Sequence, residues 1–183
     1  MVMNYIGEYV REECVQSRMG QELYDNHLVV MANYAGRLAV ELDADREVVE
    51  LASFLHCFAA VTDFENSQSH TLNNLEVAHK LLSQFHYTED KIKKIKLCLK
   101  NYGKPLKLGD ASREEVCVSN AEMMSQIARP VFWLYFGYTV KKRTYQEGLE
   151  NYIRSMDTGF RQLIPQAKVL VEDKYAFLRS LRK

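Results

Sequence analysis

The sequence predicts an all-α protein, and three observations support this fold class. Apolar residues recur at three- and four-residue steps along most of the 183-residue chain, which is the spacing of a buried helix face. No segment shows the sustained alternation of apolar and polar residues that is typical of a half-buried strand. The prolines, Pro105, Pro130 and Pro165, stand between the periodic segments or at their starts. A chain of this length can bury its own core, so we expect a single helical domain over residues 1–183.

The first half of the chain contains a series of predicted helices. Apolar spacing indicates the first one at Tyr5, Ile6, Tyr9, Val10 and Val15. The next runs from Leu28 to Leu42 and presents one apolar stripe, while the segment from Val48 to Leu55 is more apolar and is expected to be central. Asn73 or Asn74 is expected to cap the following helix, which places His70 in a polar loop before it.

The middle of the chain carries two clear helix starts. Thr88 is a predicted N-cap with acidic residues in the turn that follows, and its helix is expected to reach Asn101. Ser112 and Glu115 have the spacing of a capping box, so another helix is expected to begin after Ser112.

The last part of the chain begins with an aromatic-rich segment, residues 132–138, directly after Pro130. Aromatic residues at this density are typical of a protein core or of a dimer interface, so a homodimer formed through this segment is one expectation. Two more helices are predicted over residues 144–156 and 165–181, and Pro165 suits a first helical turn.

Composition limits the classes of partner and the compartment. The chain carries 24 basic and 24 acidic residues, and a protein that neutralises phosphates needs a basic excess, so no nucleic-acid partner is expected. The four cysteines, Cys14, Cys57, Cys98 and Cys117, fit neither a disulfide framework nor a CxxC zinc motif. The chain shows no signal peptide and no apolar run of about 18 residues, so we expect a cytoplasmic protein with no membrane partner.

Three of the five histidines occupy unusual places in this pattern. His27 begins an amphipathic helix, His56 ends an apolar one, and His70 precedes the next helix. A single histidine at the end of a buried helix is more often a satisfied core residue than a metal ligand, so these three support a site only together.

The segments around these histidines resemble the HD-domain superfamily of metal-dependent phosphohydrolases. The similar segments are Tyr24–Ala39, Ala44–His56 with Cys57 after it, His70 with Leu75–Ala78, Lys91–Gly103 and Ser119–Glu122. The resemblance implies an all-α HD-type bundle, with an HD core over about residues 20–128 and a C-terminal extension over about 130–183. It also implies that histidines and carboxylates hold one or two divalent metals, which lower the pKa of bound water and polarise a phosphate.

The implied site departs from the family pattern at several positions. The defining His-Asp pair is His56-Cys57 here, and the family's acidic pair falls on Asn120 and Glu122. A further histidine of some members falls on Asn101 or Tyr102. The metal ligands implied by the resemblance are His27, His56, His70, Glu122 and Cys57.

The function expected from this resemblance is a metal-dependent phosphohydrolase that acts on a nucleotide or another small phosphoester, with an incomplete metal site and impaired catalysis. Thiolate ligation by Cys57 would favour zinc or iron over magnesium and manganese. Asp63 and Glu65 are candidate general bases and are equally explained as solvated loop residues. The alternative is a non-catalytic HD-fold module that binds a ligand or a protein and holds no zinc, iron or manganese.

Overall fold

A computed structural model describes the backbone of residues 2–58 and 70–181 and the side chains of residues 5–58 and 74–181. Helices occupy most of these ranges, and no β-strand lies within them, which confirms the predicted all-α class. The helices are α1 (Val2–Cys14), α2 (Arg18–Leu23), a π-helical turn (Tyr24–Leu28), α3 (Val29–Leu42), α4 (Arg46–Leu55), α5 (His70–Gln84), α6 (Glu89–Asn101), α7 (Arg113–Ala128), α8 (Pro130–Thr139), α9 (Tyr145–Gln162) and α10 (Pro165–Ser180).

The core forms around α3 and α4, as the apolar pattern of these segments predicts. α3 packs against α4 and α7, and α4 also contacts α1, α6 and α7. Val48, Val49, Leu51 and Ala52 of α4 are fully buried. Burying a valine or leucine side chain stabilises the fold by roughly 1.5–3 kcal/mol, so Val48, Val49 and Leu51 anchor α4 against its neighbours. Among the described residues, no helix combines the length and the apolar character that crossing a bilayer requires.

Side-chain caps fix where several helices begin. The Thr88 side chain accepts a hydrogen bond from the backbone N–H of Lys91 and caps α6, as predicted. Ser112 and Glu115 form both bonds of a capping box at the start of α7, which confirms the second predicted start. The same arrangement, formed by Thr144 and Glu147, begins α9. Each cap satisfies backbone N–H groups that the first helical turn leaves without a partner.

The start of α5 differs from the prediction. The helix begins at His70, not after a cap at Asn73 or Asn74, so His70 is not in a loop. Asn74 lies inside the helix, and its Nδ2 donates a hydrogen bond of 2.8 Å to the backbone carbonyl of His56. Asparagine is a poor helix former, but here a buried tertiary hydrogen bond outweighs its local preference.

Asn120 has a structural role. HD proteins have an acidic residue at the corresponding position. Its Nδ2 donates to the carbonyl oxygens of Leu106 at 3.1 Å and Val116 at 2.9 Å, and its Oδ1 accepts from the backbone N–H of Ile164 at 3.0 Å. This buried side chain therefore joins α7 to the connection before it and to the turn before α10. These hydrogen bonds need a donor and an acceptor on one side chain, and an ionised carboxylate has no donor.

Substitution of Asn120 by aspartate is expected to lower the free energy of unfolding by about 3 kcal/mol, because the new charge would face two carbonyl oxygens in a buried place. Urea unfolding followed by circular dichroism measures the change. Asn33→Asp, at an exposed position of α3, is the matched control and should change stability by no more than about 0.5 kcal/mol. Equal stability of the two variants would contradict this role of Asn120.

Candidate metal centre

Two buried histidines from separate parts of the chain meet between α4, α7 and the π-helical turn. His27 lies in the π-helical turn, and His56 directly follows α4. Their Nε2 atoms are 2.8 Å apart, and their rings meet edge to face with centroids 4.8 Å apart. The convergence of these two predicted ligands is therefore a feature of the structure.

The π-helical turn was not foreseen from the sequence, which suggested that an ordinary helix begins at His27. α2, the π-helical turn and α3 form one continuous helical run, in which the backbone N–H of Val29 donates to the carbonyl of Tyr24. A π-helical turn holds one more residue than an α-helical turn and changes the direction of the side chains around it. Both His27 and Leu28 are buried in this arrangement.

Hydrogen bonds to the Nδ1 atoms assign the tautomers of both imidazoles. His56 Nδ1 lies 2.6 Å from the carbonyl oxygen of Ser53, which can only accept, so Nδ1 of His56 carries the proton. The Ser125 hydroxyl donates to the Glu122 carbonyl at 2.7 Å and therefore accepts from His27 Nδ1 at 3.0 Å. In the neutral form, each imidazole then has an unprotonated Nε2, and the two Nε2 lone pairs face the same point.

Glu122 adds a third acceptor atom at this point. Its Oε2 lies 3.4 Å from His27 Nε2 and 3.4 Å from His56 Nε2. Its Oε1 accepts a hydrogen bond of 2.7 Å from Gln126 Nε2, which orients the carboxylate. Oε2 itself is enclosed by protein and has no hydrogen-bond donor among the described residues. Burying a carboxylate oxygen without a hydrogen-bond donor costs free energy. A bound cation or a proton at Oε2 would remove that cost.

The distances among these three atoms fit a shared metal ion. Ligand atoms that bind one ion at about 2.1 Å are separated by about 3.0 Å at right angles and about 3.4 Å at tetrahedral angles. The observed separations of 2.8, 3.4 and 3.4 Å lie close to that range. Two imidazoles and one carboxylate are common ligands for zinc, iron and manganese. His27, His56 and Glu122 therefore fit a divalent metal by distance and by chemistry.

Cys57 lies next to this group but has different properties. Its sulfur and one nitrogen of each of His27 and His56 lie within 4.8 Å of one another. Burial raises the pKa of the Cys57 thiol well above its usual value, and the Glu122 carboxylate raises it further. Without a cation nearby, the thiol is therefore protonated at neutral pH and is a weak ligand in that form.

His27 is held in the form that can bind a metal. Burial lowers the pKa of His27 from 6.5 to about 4; the Glu122 carboxylate opposes this shift, and His56 adds to it. The imidazole is therefore neutral at pH 7, with Nε2 free to donate its lone pair.

Aromatic rings enclose the histidine pair on two sides. The Trp133 ring lies edge to face with His27 at 5.0 Å, and the Tyr102 ring lies edge to face with His56 at 5.1 Å. From the sequence, Trp133 is expected in a protein core or a dimer interface. Tyr102 falls where some HD proteins have a further histidine. Neither ring is therefore predicted beside the histidine pair. Ser125, which assigns the tautomer of His27, was also missed, because a serine inside a helix carries no sequence signal of such a role.

Other predicted site residues lie elsewhere or outside the described part of the chain. Asn101 donates to Glu115 Oε1 at 2.6 Å and takes no part in the histidine pair. The side chain of His70 lies outside the described residues, as do Asp63 and Glu65. Their proposed roles as a metal ligand and as general bases stay predictions.

Comparison with known proteins supports the fold. No family model matches the chain, and no curated protein matches its sequence. Among solved structures, the crystal structure of YpgQ from Bacillus subtilis is similar, with a TM-score of 0.70 and 14% sequence identity. The match covers 99% of this chain and 96% of that chain. At this identity the likeness shows a shared all-α fold along nearly the whole length of both proteins.

Substitution of Ser125 by alanine is expected to weaken binding of zinc or manganese by about 10- to 100-fold, because His27 loses the acceptor that keeps its proton on Nδ1. Isothermal titration calorimetry measures the affinity. Ser53→Ala is the matched control: Ser53 is equally buried and its hydroxyl donates to the Val49 carbonyl, but His56 uses only the Ser53 backbone. A similar loss in both variants would contradict the role of Ser125.

The metal-free protein is expected to lose stability as the pH falls from 6.5 towards 4, because the unfolded chain binds a proton on His27 at about 6.5 and the folded chain does so only at about 4. Stability due to the neutral His27 is complete above that range and decreases through it. Urea unfolding of dialysed protein at several pH values measures the trend. His27→Gln should flatten it, whereas His79→Gln, at a half-buried position on α5 away from the histidine pair, should leave most of it in place.

Proposed function

We propose that this chain is an HD-type, metal-dependent phosphohydrolase that acts on a nucleotide or another small phosphoester. The observation that carries the proposal is the convergence of three unprotonated acceptor atoms: Nε2 of His27, Nε2 of His56 and Oε2 of Glu122. Lone pairs repel one another at such distances unless a cation lies among them. The sequence resemblance to HD phosphohydrolases supplies the reaction class.

Each residue of the proposed site has a specific role in metal binding. His27 presents a neutral imidazole, and the Nδ1 protons of His27 and His56 are held by Ser125 and by the Ser53 carbonyl. Glu122 contributes one negative charge and is held by Gln126. A bound divalent metal would supply a Lewis acid that polarises a phosphoryl oxygen.

The proposed ligands favour zinc, iron or manganese over calcium or magnesium. Imidazole nitrogen suits transition metals, and calcium and magnesium prefer sites built from oxygen alone. Cys57, if it loses its proton on metal binding, would move the preference further towards zinc. His70, where it reaches the same ion, would complete a four-ligand set with the histidine pair and Glu122.

The second candidate is a non-catalytic HD-fold module that binds a ligand or a protein, and Cys57 is the observation that favours it. At this position a carboxylate could bridge two ions through its two oxygens and orient a water molecule. A single sulfur atom cannot do both. A chain with the same bundle would then bind a ligand or a protein without hydrolysing a phosphoester.

The metal content of the purified protein, measured by elemental analysis, tests the proposal directly. About one equivalent of zinc, iron or manganese is expected, and Glu122→Gln should remove most of it because the site loses its only described negative charge. Glu76→Gln, which alters an exposed carboxylate on α5, is the control and should retain the metal. A protein without metal that also fails to bind added zinc and manganese would exclude the phosphohydrolase.

Substitution of Cys57 by aspartate separates the two candidates. The new carboxylate is expected to raise the affinity for manganese at least tenfold, because manganese prefers oxygen to sulfur ligands. Calorimetry measures this affinity, and release of inorganic phosphate from a panel of nucleotides and phosphomonoesters measures activity. Phosphate release by the wild-type protein with manganese or zinc supports the enzyme; release by neither protein supports the binding module.

A further inference from the structure

A cavity of about 350 Å³ lies beside the histidine pair, between α8 and α9, and is called here the α8–α9 cavity. Two of its lining residues also belong to the candidate metal centre. Trp133 lines the cavity and packs on His27, and Gln126 lines the cavity and holds the Glu122 carboxylate. One layer of side chains therefore separates the cavity from the proposed metal ligands.

The charged residues that line the α8–α9 cavity are all basic. Lys141 and Arg143 line it, and no acidic residue does. Neither cation forms an ion pair with a carboxylate in the described part of the chain. Glu147 is close enough to interact with Arg143, but its carboxylate is used in the cap of α9, where Thr144 donates to it. Two cations are thus left to face a ligand.

The backbone and an aromatic ring hold these cations near the cavity. The backbone N–H of Arg143 donates to the carbonyl of Gly137 at 3.1 Å, which folds the end of α8 back on itself. The Lys141 ammonium lies over the Phe136 ring, 5.9 Å from its centroid. The negative face of the ring attracts the ammonium and restricts the Lys141 side chain. Less conformational entropy is therefore lost when this side chain binds a ligand.

Trp133 lines the cavity, but its indole Nε1 is not accessible from it. The indole Nε1 of Trp133 is enclosed by protein and has no hydrogen-bond partner among the described residues. An indole N–H can only donate, and a buried donor without an acceptor is costly. Asn151 and Ser155 add neutral polar groups to the same wall.

We propose that the α8–α9 cavity binds the phosphoryl group of a small phosphorylated ligand, with Lys141 and Arg143 as its charged contacts. A phosphoryl group offers several acceptor oxygens and up to two negative charges, which matches the two cations and the neutral polar side chains of Asn151 and Ser155. The cavity volume lies near the lower end of the range for small-molecule sites, roughly 300–1,000 Å³, so a phosphate with a small substituent fits it. The inference rests on the proposed function in one respect, that the ligand is the substrate or product of that site.

Trp133 provides the reporter for the test, because it is the single tryptophan of the chain. Inorganic phosphate is titrated into the metal-free full-length protein while the indole N–H resonance is followed by nuclear magnetic resonance. A saturable shift is expected, and chloride at the same ionic strength should not produce it. Lys141→Gln and Arg143→Gln should each weaken phosphate binding by about tenfold, since each removes a hydrogen bond to a charged group.

Lys142→Gln is the matched control. Lys142 lies between the two cations in sequence but does not line the cavity, and it carries the same charge. Its substitution should leave the affinity for phosphate nearly unchanged. An indole resonance that does not move with phosphate, or an equal loss of affinity in all three variants, would overturn the inference.

The two proposals fail in different ways. Zinc or manganese binding is measured on the same variants, and Lys141→Gln is expected to bind metal like the wild-type protein. Metal binding without phosphate binding would remove the cavity inference and leave the proposed function. Phosphate binding by a protein that binds no metal would keep the anion site and remove the hydrolase.

Discussion

Nε2 of His27, Nε2 of His56 and Oε2 of Glu122 lie within 3.4 Å of one another inside the bundle, and none of these atoms carries a proton when the histidines are neutral. Such an arrangement is unfavourable by itself, because lone pairs and a buried carboxylate repel one another in a medium of low dielectric constant. The rest of the structure holds it in place. Ser125 and the Ser53 carbonyl fix the outer nitrogens, so the inner nitrogens cannot turn away.

Three residues at positions where the sequence differs from the HD pattern have other roles in the structure. Asn120 joins α7 to two neighbouring segments, Asn101 binds Glu115, and Tyr102 packs on His56. Each of these contacts stabilises the fold. Cys57 lies with its sulfur within 4.8 Å of one nitrogen of each histidine, and its identity as a cysteine separates the two proposed functions.

The α8–α9 cavity gives the C-terminal helices a part in the proposed chemistry. Trp133 joins the two regions, with one side on His27 and another on the cavity wall. A cationic cavity beside a site with one carboxylate would bring an anionic ligand to the centre by charge attraction. The aromatic segment 132–138 is accordingly more than a core element, because a member of it contacts the histidine pair.

The all-α class, the buried faces of α3 and α4 and the caps at Thr88 and Ser112 can be predicted from the sequence, because helical periodicity and capping depend on residues a few positions apart. Resemblance also selected His27, His56 and Glu122. The position of His27 in a π-helical turn depends on the packing of the folded chain and cannot be predicted from local sequence. Packing also places Ser125, Gln126 and Trp133 against His27 and Glu122 and gives Asn120 its structural role. These roles depend on contacts between residues that lie up to about a hundred positions apart in the sequence, such as His27 and Ser125. A local sequence pattern contains no information about such contacts.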